Sequence, residues 1–82
     1  MKTNELKKGT RIQLRNGWKA TLLDNLKGNT RCAMVEGDYT EAGSIYSHDI
    51  VARQDNGSWI HDIEYTDSQL NCRKMNVQLF GG

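Results

Sequence analysis

Eighty-two residues, 37% of them apolar and 26% charged, suffice for one compact domain and exclude a second, because a chain this short buries only about 60% of the surface its unfolded form exposes. The composition is too apolar for a disordered chain. No apolar run approaches the ~18 residues of a membrane span, and no apolar stretch follows the lysines of MKTNELKKG as in a signal peptide, so we expect a single cytoplasmic domain over 1–82 with no membrane partner.

The net charge of +1 excludes a strongly acidic mimic of nucleic acid but hides an asymmetry. Residues 1–31 hold eight Lys/Arg against Glu5 and Asp24, a balance of +6; residues 32–65 hold only Arg53 against seven acids, a balance of −6. Whether these form two patches or one mixed surface depends on which strands pair.

In chain order, the first signal is a hairpin. Ile12 and Leu14 alternate with polar residues, and Trp18, Ala20 and Leu22 form the answering apolar set. A two-residue Asn16-Gly17 turn would set Leu14 against Lys19, whereas a three-residue loop of Arg15, Asn16 and Gly17 pairs Leu14 with Trp18 and Ile12 with Ala20; the second register is preferred, with positive φ at Gly17. Thr30 to Glu36 reads as a strand apolar in both phases, so its orientation is left open. Ser44 to Tyr46 and Ile50 to Arg53 read as short strands joined by a tight turn at Ser47, His48 and Asp49. Ser58 to Ile63 reads as the final strand after Asp55-Asn56-Gly57. Thr66, Asp67, Ser68 and Gln69 form a capping-box pattern that opens a helix over about 67–79. On that helix Cys72, Met75 and Leu79, flanked by Leu70, Val77 and Phe80, make a broad apolar face that caps the sheet or meets a partner. The expected fold is mainly β: a small antiparallel barrel of five or six short strands over about 6–64, with a C-terminal α-helix.

The stretch LKKGTRIQLRNGW, Leu6 to Trp18, resembles the entry strand and first loop of SH3-like barrels. That fold hosts peptide-binding, nucleic-acid-binding and structural roles, so the resemblance implies architecture and little function. GWKATLLDN, KGNTR and SIYSHDIVA look like segments of short uncharacterised proteins of tailed bacteriophages. This resemblance implies a viral accessory protein in the cytoplasm of an infected host. Such proteins often bind and inhibit a host component, including a defence system such as CRISPR-Cas, and the resemblance maps no site residues.

Chemistry-bearing residues are few. The triplets His48-Asp49-Ile50 and His61-Asp62-Ile63 invite a metal site, but on strands the His and Asp of each triplet point to opposite faces, so they are read as surface His and turn-capping Asp. Cys32 and Cys72 are expected to stay reduced and at least partly buried. No serine elbow, phosphate-binding loop, dinucleotide fingerprint or paired CxxC is present, so no catalytic residue, metal or cofactor is assigned and an enzyme is not expected.

Two binding sets remain. Trp18, Arg15, Lys19, Tyr39 and Tyr46 are residue types that anchor protein interfaces, and a host protein is the expected partner. The alternative is nucleic acid held by Lys7, Lys8, Arg11, Arg15, Lys19, Lys27 and Arg31, with Trp18 as a stacking ring. The apolar helix face also leaves a homodimer open.

Overall fold

A computed structural model describes residues 1–79. It is mainly β, with six antiparallel strands in one sheet and a C-terminal helix, as expected. The strands are β1 (Arg11–Leu14), β2 (Lys19–Leu22), β3 (Thr30–Glu36), β4 (Thr40–Tyr46), β5 (Ile50–Asp55) and β6 (Ser58–Ile60), followed by α1 (Asp67–Leu79). Their order across the sheet is β4-β3-β2-β1-β5-β6, and 3₁₀ turns at Thr3–Glu5 and Ser47–Asp49 lead into β1 and β5.

The first hairpin adopts the preferred register. Ile12 faces Ala20, the Leu14 amide donates to the Trp18 carbonyl at 2.7 Å, and Gly17 takes φ +93°. The β5–β6 hairpin turns on Asn56 and Gly57, both at positive φ, the geometry that matches the right-handed twist of the flanking strands. β6 ends at Ile60, three residues short of expectation. Beyond it the backbone pairs with the N-terminus, through Thr3 N–H to Glu64 O and Glu64 N–H to Met1 O, while Asp62 turns to meet Arg53.

Leu6, Ile12, Leu14, Ala20, Leu22, Ala33 and Ile50 form the core, with Val35, Ile45 and Ile63 packed on its margin. A register shift between Gln13 and Leu14 against β5 breaks the alternation there, so Ile50 joins this core while Ala52, equally buried, lies outside it. β3 points Arg31, Ala33 and Val35 inward, which settles its phase. Cys32 is therefore exposed, correcting the expectation of a partly buried thiol, and Cys72 is half-buried.

Arg31 occupies a core position, 1% exposed, because every direction of its guanidinium finds an acceptor. Nε donates to Asp24 Oδ1 at 2.7 Å, Nη2 to the Leu6 and Asp24 carbonyls, and Nη1 to the Thr3 carbonyl. Asp24 in turn accepts the amides of Cys32 and Leu26. Gln69 plays the same part for the helix. The capping box forms in both directions, Gln69 N–H to Thr66 Oγ1 at 3.1 Å and Thr66 N–H to Gln69 Oε1 at 2.9 Å. The same buried amide accepts from Thr3 and donates to Asn4 and to the Gly28 carbonyl, so α1 is anchored to the N-terminal turn and the β2–β3 loop by its first turn. Further along, Leu70 and Met75 are exposed, so these members of the expected apolar face do not cap the sheet; Phe80 lies outside the described residues.

Removing one partner of a buried ion pair strands the other, so Arg31→Met is expected to lower unfolding stability by about 3–5 kcal/mol in urea titrations, and a loss under ~1 kcal/mol would show the guanidinium to be dispensable. Two carboxylates set the acid limit. Desolvation raises the Asp24 pKa, but the Cys32 amide, the Arg31 guanidinium and the Leu26 amide outweigh it and hold the group below its ordinary value. The paired hydrogen bonds from Arg53, both 3.0 Å, bring Asp62 down to about 2. Depressed folded pKa values contribute stability that is present above the ordinary carboxylate pKa of 3.8 and lost as pH falls through the folded value. Stability should therefore decline from about pH 4 toward pH 2, and Asp62→Asn should flatten that decline when unfolding is followed across the range.

Candidate functional site

A groove of about 610 Å³ runs along β4, where the sheet is left open between that strand and the β1–β2 turn. Every residue from Glu41 to Tyr46 lines it on one side. Leu14, Val35 and Ile45 give it an apolar floor continuous with the core.

Its walls are aromatic. Trp18 lies in the inward phase of β2 but just before its first residue, in the groove rather than the core, so 43% of the residue stays exposed. The indole rests on the backbone of Gly37, where a β-carbon would lie 2.5–2.7 Å from three of its ring atoms, so only glycine lets the ring lie flat. Tyr46, 40% exposed, stacks on His48 with centroids 4.9 Å apart and planes 13° from parallel. The His48 ring is buried and neither nitrogen has a hydrogen-bond partner; Nδ1 lies 3.3 Å from Asp49 Oδ1 but outside hydrogen-bonding geometry. The expectation of a surface histidine is corrected here: His48 serves as the buried face of a ring stack.

Arg15 reaches the groove but is already engaged. Its guanidinium donates to the His48 carbonyl at 2.6 Å and to Tyr65 Oη at 3.4 Å, and it lies 3.6 Å from the Asp49 carboxylate. It fixes the 3₁₀ turn against β1. The Glu41 side chain, by contrast, has no hydrogen bond or ion pair with any described residue and stands exposed.

Of the five residues expected to contact a protein, the fold gathers Trp18, Arg15 and Tyr46 into this groove and places two elsewhere. Tyr39 stands 82% exposed at the tip of the β3–β4 hairpin, and Lys19 projects from the outer face with its ammonium 5.9 Å from the Trp59 ring centre. The basic set is scattered. Lys7 and Lys27 border a second hollow of about 430 Å³ that Glu5 shares, and Lys8 is exposed near it. Arg11 pairs with Glu36 on the outer face, and Arg15 is held as above. Arg31 is withdrawn entirely: buried against Asp24, it offers nothing to a phosphate, which corrects its inclusion among the candidate contacts.

Sequence reasoning missed Gly37, Glu41, Gly43 and Ile45. The signal is present in the alternation of β3, where Val35 and Gly37 follow Ala33 in phase, but the strand expected at Ser44 to Tyr46 begins four residues earlier, at Thr40. The triplets make no shared site. His61 is exposed, Asp62 is paired with Arg53, and among the described residues no three His, Cys, Asp or Glu side chains gather as metal ligands.

Compared with protein-family models, curated proteins and solved structures, the chain matches none. Among the described residues, no helix is long and apolar enough to cross a membrane.

A β-carbon on Gly37 must displace the indole, so Gly37→Ala is expected to lift Trp18 off the hairpin and red-shift its fluorescence, read in a Trp59→Phe background. The accompanying stability loss should be about 1–3 kcal/mol, as for other overpacked sites. An unchanged spectrum would mean that the ring does not lie on Gly37 in solution.

Proposed function

We propose that this protein is a non-catalytic binding domain that holds another protein in the groove between Trp18 and Tyr46. The observation that carries this reading is the convergence of two half-exposed aromatic rings on an apolar floor open to solvent. Aromatic anchors that lose their remaining exposure on contact are the residues that dominate binding energy at protein interfaces. In the setting implied by the resemblance to tailed-phage proteins, the partner is a host protein and the effect is inhibitory, with defence systems such as CRISPR-Cas among the candidates. Nucleic-acid binding is the weaker reading, because the basic residues are divided among the outer face, the second hollow and internal ion pairs.

The test is capture from a nuclease-treated bacterial lysate at two salt concentrations, with the wild-type chain, a Trp18→Ala/Tyr46→Ala variant and a Lys7→Glu/Lys8→Glu/Lys27→Glu variant. A defined protein retained at high salt, lost with the aromatic variant and kept with the lysine variant is the expected result. Loss with the lysine variant, or retention of nucleic acid alone with steep weakening between about 50 and 200 mM salt, would transfer the function to the basic residues.

A further inference from the structure

The groove runs along a strand whose outer edge is unoccupied. β4 is the terminal strand of the sheet, and among the described residues its hydrogen-bonded neighbour is β3 alone. Every second residue of such a strand turns its N–H and C=O away from the sheet, a row that will accept another strand. Edges exposed in this way are ordinarily blunted by short length, charged side chains, a proline or a bulge. The opposite edge, β6, follows that pattern with three residues. β4 is protected only by Glu41: it has seven residues, no proline and unbroken register with β3 from Thr40 to Tyr46. Its middle residues, Ala42, Gly43 and Ser44, are small, and a β-carbon built on Gly43 would meet nothing within 4 Å, so the space above the strand is open.

Charge then narrows the occupant. Glu41 lines the groove unpaired, and Asp38 lies two residues before the strand without an ion pair among the described residues, whereas Arg15, the basic side chain of the groove, is spent on Asp49 and the His48 carbonyl. The free charge along this edge is negative.

We infer that β4 takes up an extended, basic segment of the partner protein as a seventh strand, with alternate apolar side chains lying on Val35 and Ile45 between the Trp18 and Tyr46 rings and a lysine or arginine meeting Glu41. This rests on the groove reading above and adds the partner's conformation and charge. Glu41 to Tyr46 spans about 16 Å of strand, room for about five residues of the incoming segment. Backbone hydrogen bonds along the edge supply affinity, while the rings and the carboxylate select alternate side chains.

The test uses a synthetic peptide in which a central phenylalanine, flanking valines and a lysine at each end share one face of an extended strand, with threonine at the intervening positions, titrated into the full chain and followed by amide NMR shifts and hydrogen exchange. Expected are shifts and slowed exchange concentrated over Thr40–Tyr46. Methylating alternate backbone nitrogens of the peptide should weaken binding about tenfold or more, as should replacing its lysines by glutamate. Glu41→Lys should reverse the preference between the basic and acidic peptides. Equal binding of the methylated peptide would overturn strand addition and leave the aromatic groove reading standing. Outward β4 amides already protected in a dimer of the protein alone would give the edge to a second copy and overturn the inference. Failure of the wild-type chain to bind the basic peptide would also overturn it, while the lysate test of Trp18 and Tyr46 decides the groove reading separately.

Discussion

The buried pair of Arg31 and Asp24 is the constraint on which the rest of the structure depends. An arginine removed from water costs several kcal/mol unless its charge and its donors are met. Here four hydrogen bonds meet them, from acceptors on three separate segments: the turn at Thr3, the approach to β1 at Leu6 and the β2–β3 loop at Asp24. None of these segments has regular strand pairing of its own to fix it. The guanidinium therefore does for the irregular backbone at this end of the core what the strand ladder does for the sheet, and Gln69 extends the arrangement to the helix by using both donors and both acceptor positions of one amide.

With this side of the molecule closed by polar contacts, the other side is left open. The β1–β2 turn and β4 stand apart, and the space between them exposes Leu14, Val35 and Ile45 beneath two aromatic rings. A domain of this size has little apolar surface to spare. Leaving a strip of core uncovered beside a long strand edge invites aggregation, and natural sheets ordinarily avoid it. The local devices that hold the groove in shape are specific: Gly37 under Trp18, His48 under Tyr46, and Arg15 tying the 3₁₀ turn to β1. The stack at Tyr46 buries the His48 ring, with Nδ1 3.3 Å from Asp49 Oδ1.

The charge asymmetry along the chain is met in part by ion pairs across the sheet. Arg11 from the basic third meets Glu36 from the acidic third across the sheet, and Arg15 meets Asp49. The two His-Asp-Ile triplets are likewise absorbed into structure, their aspartates pairing with Arg15 and with Arg53. Lys2, Lys7, Lys8, Lys19 and Lys27 stay outside these ion pairs, and Glu41 matters because of its place on the free edge rather than because of the sum of charges.

The sequence by itself determined what rests on near neighbours. The three-residue loop with Gly17 at positive φ, the Asn56-Gly57 turn and the Thr66–Gln69 capping box all depend on residues within a few positions of one another, so alternation and turn chemistry suffice to read them. The mainly β class followed from the same signals. Only the tertiary structure decided the inward turn of Arg31, the second role of Gln69 and the groove. Arg31 looked like a solvent-facing base because its acceptors lie seven to twenty-eight positions away, three of them backbone carbonyls that no residue type announces. Trp18 and Tyr46 were recognisable as anchors, but that they share one groove depends on β4 ending the sheet. Strand order is a long-range property, set by which edges find partners once the core has formed, and no local pattern in the chain encodes it.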